Sequence, residues 1–254
     1  MTTPRQDEIL EYLSRHDKLE VSSLSELLRV SPSTIRRDLK VMEHLGLVVR
    51  KHGLAQLPMP IQYELPYEQR AARQIKAKRS IAALAKSLIQ PGQVVGLSGG
   101  TTATELARQL RPLENVSIVT NAVNIALELQ GQPHKRVVVT GGTLNQNSYE
   151  LVGDLVRQSL QSLHLDLAFL GVSGIEAQFG CSVADEPEAV VARAFQASSA
   201  QTIILADHTK IGQVTFARFC PLSGVDLLIT DAGLTAAQQA ILQAAGLKIL
   251  IASN

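Results

Sequence analysis

The sequence predicts an α/β protein made of a small helical N-terminal unit and a larger domain on a mostly parallel β-sheet. From residue 93 onwards, short apolar runs alternate with amphipathic runs of helical length, a pattern typical of parallel strands covered by helices on both faces. Before residue 57, apolar positions recur at helical spacing in three short stretches that end in a basic hairpin pattern. Pro58, Pro60 and Pro66 separate the two patterns. We therefore expect domains over 1–57 and 80–254, with a linker and the start of a connecting helix over 58–79.

The first two helical stretches are interpreted as packing support for the third. Residues 4–16 predict a helix whose apolar stripe is formed by Ile9, Leu10 and Leu13. Residues 19–21 predict a short extended piece. Ser22 or Ser23 is then expected to cap a second helix, whose inward side chains are Leu24, Leu27 and Leu28.

The stretch 30–53 carries the strongest functional signal of the N-terminal unit. Ser31 is a good N-cap, and Pro32 occupies the first helical position, where a missing N–H costs nothing. Apolar residues at i, i+4 and i+7 share one buried face, formed by Ile35, Leu39 and Met42. The open face keeps Ser33, Thr34, Arg36, Arg37 and Lys40. Gly46 is expected to end this helix, and a strand that carries Arg50 and Lys51 to begin at Leu47, Val48 and Val49.

Positive charge is local rather than global in this chain. The net charge is only +1, but residues 36–51 hold five basic and two acidic side chains, a net charge of +3 on one small surface. A solvated amphipathic helix would also account for a basic face. The order of the parts, a capped helix, a turn and a basic β-ribbon, favours a recognition helix in the major groove of double-stranded DNA with a wing on the backbone. The predicted DNA-binding residues are Ser33, Thr34, Arg36, Arg37, Lys40, Arg50 and Lys51.

Composition excludes several other classes of protein. Aromatic residues make up 4% of the chain and tryptophan is absent, which argues against a base-stacking platform for single strands. The N-terminal stretch is polar and no apolar run approaches the roughly 20 residues that span a bilayer, so we expect a cytoplasmic protein without a membrane partner. Cys181 and Cys220 are expected to be reduced thiols without a chemical role, and the scattered histidines predict no metal site and no cofactor. Because one small DNA-binding domain rarely gives enough specificity, we expect a homo-oligomer, a dimer or tetramer.

The region after the hairpin is expected to connect the two domains. Residues 56–67 form the expected linker, and residues 68–86 predict one long helix. Its basic face is formed by Arg70, Arg73, Lys76, Lys78 and Arg79. A second contact with the DNA backbone and a solvated helix that joins the domains are both open, and we favour the solvated helix.

The larger domain is predicted from the alternation of its strands and helices. Strands are expected at 94–97, 116–119, 137–140, 167–170, 202–206, 227–230 and 248–251. Helices are expected at 103–110, 122–129, 155–163, 189–197 and 236–245. This order predicts one sheet, with its strands parallel and its two faces covered.

Small and polar residues follow several of these strands, where ligands bind in parallel sheets. The first strand is followed by Ser98, Gly99, Gly100, Thr101 and Thr102 and then by a helix, and a glycine-rich turn at a helix N-terminus suits phosphate. Later turns add Thr120, Asn121, Gly141, Gly142, Glu186, Asp207 and Lys210. Lysine supplies a point charge for phosphate, and carboxylates accept hydrogen bonds from sugar hydroxyls. We predict that these residues together bind a phosphorylated sugar.

Both halves of the chain resemble the DeoR family of bacterial regulators of sugar metabolism. In the first half the resemblance rests on the run 34–39 (TIRRDL), with Glu43, Gly46, Arg50, His52 and Gly53. In the second half it rests on 98–102, 119–121, Gly141-Gly142, Asp166, Phe169, Gly171, Glu186, Glu188, 206–207 and Lys210. The stretch 141–160 is most similar to the amino-sugar branch, regulators of the AgaR type. The resemblance implies a winged helix-turn-helix, a sensor domain similar in fold to ribose-5-phosphate isomerase and glucosamine-6-phosphate deaminase, and a repressor of a carbohydrate-utilisation operon relieved by a phosphorylated sugar or amino sugar.

The chain departs from the family pattern at four places. Leu54 stands where the family's wing has a second glycine, and Ser98 stands where an aspartate is usual. Arg193 replaces a common lysine, and His208 replaces a common serine. The departures in the sensor domain imply an effector, or a response, different from that of the best-known members.

Two alternatives stay open at this point. A sugar-phosphate isomerase or deaminase with an accessory N-terminal domain would need paired carboxylates to move a proton. The place where the isomerases carry those acids is 170–174, which here has none, although Glu176, Asp185 and Glu186 are near in sequence. A DNA-binding protein with a vestigial pocket is the other alternative, kept open by Ser98.

Overall fold

The computed structural model describes residues 3–16, 18–45, 47–51, 53–56, 65–132 and 135–253, without the side chains of Ser14, Arg15 and Lys51. The chain divides into two units, Met1–Glu64 and Leu65–Asn254. Each unit has its own core and is described by itself.

Three helices and three short strands make up the first unit. The helices are α1 (Pro4–Arg15), α2 (Val21–Leu28) and α3 (Pro32–His44), and the strands are β1 (Leu19–Glu20), β2 (Val49–Lys51) and β3 (Leu54–Gln56). The strands form an antiparallel sheet in the order β1-β3-β2. The predicted apolar stripes meet in the core, where each side chain is at most 3% exposed: Ile9, Leu10, Leu13, Leu24, Ile35, Leu39 and Met42. The predicted three helices and β-ribbon are therefore confirmed.

The second helix differs from its prediction in two respects. It begins at Val21 behind Glu20, without a side-chain cap, and Ser22 donates its hydroxyl to the Glu20 carboxylate instead (2.9 Å). Leu27 is 46% exposed rather than inward, and Leu24 is the buried leucine of α2. Gly46 and His52, expected to end α3 and to mark the wing, lie outside the described residues, and Leu45 is the C-cap of α3.

The predicted long helix 68–86 is two helices. These are α4 (Tyr67–Ala72) and α5 (Ile75–Lys86), and Gln74 between them has a left-handed backbone with φ 50°. Lys78 lies inside rather than on a basic face, with 5% of its surface exposed. Of the linker, 57–64 lies outside the described residues.

A seven-stranded parallel sheet forms the centre of the second unit. Its strands are β4 (Val94–Leu97), β5 (Ser117–Thr120), β6 (Val137–Val139), β9 (Leu165–Gly171), β12 (Ser199–Leu205), β14 (Leu227–Asp231) and β15 (Ile249–Ala252). They lie in the order β15-β14-β12-β9-β4-β5-β6, and every neighbouring pair is parallel. The chain thus runs outward from β4 to one edge and returns to place β9 on the other side of β4. Each predicted strand is found, with its ends shifted by a few residues.

Helices cover both faces of this sheet. They are α5, which packs against β14 and β15, together with α6 (Thr101–Leu110), α7 (Val123–Glu128), α8 (Asp154–Gln161), α9 (Glu186–Ala197) and α10 (Ala236–Ala244). On β9 the neighbouring side chains Phe169 and Leu170 point to opposite faces, belong to two separate apolar clusters and are both fully buried. This burial on two faces explains why the sequence shows continuous apolar runs in its strands.

Two small antiparallel sheets were not predicted. One is a ribbon of β7 (Thr143–Asn145) and β8 (Glu150–Val152), and the other joins β10 (Gly174–Glu176), β11 (Gly180–Val183) and β13 (Ala217–Cys220). In the second sheet Cys181 and Cys220 are direct cross-strand partners, and both are free thiols and buried. The two cysteines, distant in sequence, therefore face each other.

Candidate DNA interface and effector site

Helix α3 presents a polar and basic face to solvent. The Ser31 hydroxyl accepts a hydrogen bond from the backbone N–H of Thr34 (3.2 Å), which caps the helix as its sequence predicts. Opposite the buried apolar stripe, Thr34 is half-buried, and four predicted DNA-binding residues are exposed: Ser33, Arg36, Arg37 and Lys40. These five side chains thus share one accessible face of a helix whose other face is fixed in the core.

Asp38 anchors the recognition helix to α1. Its carboxylate accepts hydrogen bonds from Arg5 Nε (2.6 Å) and Gln6 Nε2 (3.4 Å), and it is 7% exposed. The hydrogen bond to Asp38 raises the pKa of Arg5. Asp38 is one of the two acids within the predicted basic patch, and its contacts position the helix instead of exposing its charge to solvent.

Arg50 on β2 forms an ion pair with Glu43 near the end of α3. Its Nε and Nη2 atoms lie 2.8 Å and 2.5 Å from Glu43 Oε2, and this contact lowers the pKa of Glu43. The pair ties the ribbon to the recognition helix and neutralises part of the predicted basic surface. Lys51 has its backbone in β2, and its side chain is outside the description.

The turns that follow the strands of the large sheet meet at one edge, because all seven strands are parallel. Strand β4 has β5 on one side and β9 on the other, so the chain diverges in two directions from this point. Ligands of open parallel sheets bind at such a switch point, beyond the carboxyl ends. The loop 98–102 follows β4 and therefore lies at the expected place.

This loop is firmly held and leads into α6. The Ser98 hydroxyl accepts a hydrogen bond from the backbone N–H of Gly171 (3.2 Å), which joins the ends of β4 and β9. Gly100 is the N-cap of α6 and has φ 111°, a conformation that favours glycine. Thr101 and Thr102 open the helix and are 9% and 8% exposed. A helix N-terminus with two hydroxyls suits a phosphate group.

Asn121 lies beside this loop at the end of β5 and is fully buried. Its Nδ2 donates hydrogen bonds to Glu150 Oε2 (3.1 Å) and to the backbone oxygen of Leu151 (3.0 Å). Its Oδ1 has no hydrogen-bond partner among the described residues, and the same holds for the Thr140 hydroxyl after β6. Thr120 accepts a hydrogen bond from the backbone N–H of Ala122 (3.0 Å) and so shapes the turn. The edge therefore carries buried acceptors that a polar ligand can satisfy.

Glu150 is a member of this cluster that sequence reasoning missed. A Cβ atom on Gly99 would lie 2.0 Å from Glu150 Cγ and 2.3 Å from its Oε1, so only glycine fits beside this side chain. Glu150 is 9% exposed and belongs to β8, a three-residue strand without a recognisable motif. No local sequence signal could have placed it next to Gly99.

Gly141 and Gly142 lie against α8 and β8, and Glu186 lies at a surface cavity. Gly142 has φ 140°, and a Cβ atom there would lie 2.8 Å from the backbone oxygen of Val152, so close packing against β8 accounts for it. Gly141 donates its N–H to the Ser159 hydroxyl on α8 (3.2 Å). Glu186 is exposed and lines a surface cavity of ≈ 230 Å³ together with Arg193, Phe216 and Arg218. None of the described contacts joins Glu186 to the loop 98–102.

Asp207 and Lys210 lie after β12, close in space to a lysine that sequence reasoning placed elsewhere. Asp207 is 4% exposed and caps its own turn by accepting a hydrogen bond from the backbone N–H of Thr209 (3.1 Å). Lys78 on α5 donates hydrogen bonds to the backbone oxygens of Arg70 and Arg73, the latter at 2.7 Å. Burial lowers the pKa of Lys78 to about 8, the charge of Asp207 opposes this fall, and the charge of Lys210 adds to it. The three charged groups therefore act on one another electrostatically.

His208 and Asp231 form a further pair at this edge. The two side chains meet at 2.8 Å between Nδ1 and Oδ2, and the backbone N–H of His208 donates to Asp231 Oδ1 at 2.7 Å. Burial alone would raise the pKa of Asp231, but hydrogen bonds from His208 and Gly233 outweigh it and leave the pKa lowered. Gly233 leaves no room for a Cβ, which would lie 2.3 Å from His208 Nδ1. The position of Asp231 at the end of β14 was the signal that could have suggested it.

Comparison with known proteins agrees with both units. The model of the DeoR-like helix-turn-helix domain matches residues 5–60, and that of the DeoR C-terminal sensor domain matches residues 73–232. A relative from Haloferax volcanii, the HTH-type transcriptional regulator GlpR, is 34% identical over 97% of this chain and 96% of its own. A relative from Escherichia coli O157:H7, named for repression of the aga operon, is 33% identical over 98% of this chain and 94% of its own.

Among solved structures, ribose 5-phosphate isomerase A from Methanocaldococcus jannaschii is a distant neighbour. It has a TM-score of 0.39 and 17% identity, with 52% of each chain covered. Within the described residues, no helix is both long and apolar enough to cross a membrane. The matches to the helix-turn-helix and sensor domains, and the full-length relatives, show that this chain belongs to the DeoR family of transcriptional regulators.

Proposed function

We propose that this protein is a repressor of a carbohydrate-utilisation operon and that a phosphorylated sugar releases it from its operator. One observation carries the proposal: the loop 98–102 opens α6 at the switch point of a parallel sheet, in a chain that also bears an exposed recognition helix. The first unit supplies DNA binding and the second supplies the ligand site. We assign the DNA-binding domain to 1–57, the linker and start of the connecting helix to 58–79, and the effector domain to 80–254.

On the DNA side, the exposed face of α3 enters the major groove. Arg36 and Arg37 are the candidates for a bidentate contact with guanine, with Ser33 and Thr34 beside them. Lys40, Arg50 and Lys51 act mainly on the phosphate backbone and set the salt dependence. A homo-oligomer, a dimer or tetramer, would place two such helices on half-sites one helical turn or a multiple apart.

On the ligand side, the N-terminus of α6 with Thr101 and Thr102 holds the phosphate, and Lys210 adds a positive charge. The sugar then lies towards Asn121, where the buried Oδ1 can accept a hydroxyl hydrogen bond. Binding biases the protein towards an arrangement with lower DNA affinity, which requires a coupling of roughly 1–3 kcal/mol. We place the regulator in the cytoplasm, where operator and sugar phosphate are both available.

The surroundings of the nearby acids support a regulator over an isomerase or deaminase. Glu176 accepts hydrogen bonds from the backbone N–H groups of Gln178 (2.9 Å) and Phe179 (2.7 Å) and so fixes a turn. Asp185 accepts one from the backbone N–H of Glu188 (2.8 Å) and caps α9. Glu176 and Asp185 are thus engaged in local structure, and Glu186, the third acid near 170–174, lines a surface cavity without a described contact to the loop 98–102. Proton transfer by an isomerase needs a pair of carboxylates that face the substrate.

The test is fluorescence anisotropy with the DNA upstream of the protein's own gene. Protein is titrated at fixed salt, and a panel of sugar and amino-sugar phosphates is then added. We expect tight binding that one phosphate reverses. Tight binding that no phosphate disturbs would favour a vestigial pocket, and measurable isomerisation or deamination of a panel member would favour the enzyme.

Two variants and a control refine this test. Thr101→Ala and Lys210→Ala are expected to remove the response to the effector while the effector-free DNA affinity stays within about twofold. Lys248→Ala, an exposed cation before β15, is the matched control for Lys210→Ala and should respond as the wild type does. Equal loss of response and of DNA binding in the two site variants would indicate misfolding and contradict the assignment.

A further inference from the structure

We infer that Glu150 recognises the sugar end of the effector, and that this site selects ligands that carry a phosphate at one end and hydroxyl or ammonium donors at the other. The inference rests on the proposed sugar-phosphate site and deepens it. It adds a residue that lies 48 to 52 positions after the loop 98–102 and belongs to the unpredicted ribbon of β7 and β8.

The carboxylate of Glu150 lies beside the glycine turn that precedes α6. Glu150 lies against the backbone of Gly99, so closely that a single methyl group on Gly99 would overlap both its Cγ and its carboxylate. Gly99 is in the middle of the turn that precedes α6. The carboxylate therefore stands beside the turn that leads into the predicted phosphate site.

Hydrogen bonds from neighbouring segments hold both strand β8 and the Glu150 carboxylate in place. Strand β8 runs along the turn after β5: the Leu151 N–H donates to the Asn121 backbone oxygen (2.7 Å), and the Val123 N–H donates to the Tyr149 backbone oxygen (3.0 Å). Asn121 Nδ2 adds a hydrogen bond to Glu150 Oε2. A group fixed on both sides in this way is preorganised for a ligand and loses little freedom on binding.

The Glu150 carboxylate and the neighbouring Asn121 Oδ1 are chemically complementary to a ligand that donates hydrogen bonds. An ionised carboxylate only accepts hydrogen bonds, and the buried Asn121 Oδ1 next to it is also an acceptor. Asn121 Oδ1, which has no partner among the described residues, can accept a hydrogen bond beside this carboxylate, and a polyol or an amino sugar supplies the donor. A phosphate or carboxylate at the same place would be repelled, so the phosphate takes the helix N-terminus and the hydroxyls or ammonium face Glu150.

This orientation predicts discrimination among ligands that share their phosphate. Glucose 6-phosphate and glucosamine 6-phosphate have donors at the end remote from the phosphate, whereas 6-phosphogluconate has a carboxylate there. We expect the full-length wild type to bind the first two at least tenfold more tightly than 6-phosphogluconate in isothermal titration calorimetry. Inorganic phosphate, which lacks the sugar, should bind most weakly of the ligands without a carboxylate.

Glu150→Gln tests the residue itself. Glutamine keeps the size and can still accept from Asn121, so thermal unfolding should stay close to that of the wild type. The variant should bind glucosamine 6-phosphate about tenfold more weakly, inorganic phosphate as tightly or more tightly, and 6-phosphogluconate more tightly. Glu114→Gln removes an exposed acid on the turn after α6 and is the matched control, expected to leave all four affinities within twofold.

The outcomes separate this inference from the proposed function. Unchanged affinities in Glu150→Gln, or equal weakening of sugar phosphates and inorganic phosphate, would overturn the role of Glu150 and leave the sugar-phosphate site standing. Should the variant unfold, the wild-type comparison decides, because equal binding of glucose 6-phosphate and 6-phosphogluconate also overturns it. A wild type that binds none of the four ligands, and releases DNA with no sugar phosphate, would overturn both.

Discussion

The phenol of Tyr149 donates a hydrogen bond to the carboxylate of Glu68 on α4, and its ring packs against Tyr67 of the same helix with centroids 5.2 Å apart. The Tyr67 N–H also donates to the backbone oxygen of Asn147 (3.0 Å). Tyr149, one residue before Glu150, thus ties the ribbon of β7 and β8 to α4. Helix α4 is the first described helix that follows residues 57–64. Tyr149 adopts φ 61°, a left-handed conformation that is costly for an aromatic residue and is stabilised by these contacts.

We expect Tyr149→Phe to weaken the response to the effector severalfold. Effector-induced movement of β8 would reach α4 through this hydrogen bond, and α4 directly follows the linker. The measurement is the ratio of DNA dissociation constants with and without the effector. Tyr12→Phe in the first unit is the control, and an unchanged ratio in Tyr149→Phe would show that α4 responds by another route.

The same pair predicts an abnormal titration of one tyrosine. The hydrogen bond to Glu68 raises the pKa of Tyr149 and lowers that of Glu68, because the carboxylate accepts from the protonated phenol. Absorbance at 295 nm, as wild type minus Tyr149→Phe, should therefore show a transition above pH 10. Glu68→Gln should move this transition to lower pH, and a titration insensitive to Glu68 would contradict the contact.

Arg37→Ala is expected to reduce operator affinity by about 1–3 kcal/mol and to relax the preference at one base pair. The reason is that Arg37 lies on the exposed face of α3, opposite the buried Ile35, Leu39 and Met42. Anisotropy against a set of single-base operator variants measures both effects. An affinity and preference equal to those of the wild type would remove Arg37 from the interface.

Glu43→Gln should strengthen DNA binding and increase its dependence on salt. In the structure Arg50 is paired with Glu43, and removal of the acid frees the guanidinium for a phosphate. The slope of log K against log salt should become steeper by up to about 0.9. Glu26→Gln on α2 makes the same change of charge and is the control. A steeper slope in both variants would assign the effect to net charge alone.

Lys78 predicts that stability rises with pH over an unusual range. The pKa of Lys78 is about 8 in the folded protein, against an ordinary lysine value of 10.5. Between these two values the unfolded chain binds more protons than the folded protein, so unfolding becomes less favourable as pH rises. The gain is on the order of 2 kcal/mol, because partial solvent screening reduces the full value. Urea unfolding at pH 7 and pH 10.5 should show it in the wild type but not in Lys78→Met. An equal change in the free energy of unfolding with pH in the two proteins would show that the Lys78 ammonium is exposed to water in the folded state.

The sequence was sufficient for the elements whose pattern reflects burial. Each parallel strand is apolar because the sheet is covered on two faces, as Phe169 and Leu170 show, so the runs stand out without any knowledge of partners. The same is true of Ile35, Leu39 and Met42, which are buried along one side of α3. The turns 98–102 and 120–121 could be placed at one edge because parallel strands end together.

The predictions that failed depended on backbone turns, helix ends and contacts between separate elements. Lys78 has the spacing of a solvated helical lysine. Its burial is explained by the backbone oxygens of Arg70 and Arg73 at the end of α4, which accept its hydrogen bonds. Gln74 has no turn signature, yet its left-handed backbone divides the predicted helix. The role of Glu150 depends on its place beside Gly99, and Leu27 is exposed although its spacing matches that of an inward side chain. Sequence periodicity contains none of these relationships.

The pairing of β4 with β9, which lies much later in the sequence, also affects the order in which the two units fold during synthesis. Strand β4 remains without one of its two neighbours until β9 is available, and Val94 and Asp166, which hydrogen-bond at the start of this pair, are 72 positions apart. Such non-local pairing is slow, whereas the helices of the first unit need only nearby residues. During synthesis the N-terminal unit is therefore complete while the sensor is still unformed. We expect a nascent chain to pass through a stage in which the DNA-binding unit is folded but the sensor cannot yet bind a sugar, so the delay between the two folding events limits how soon a new repressor molecule can be induced.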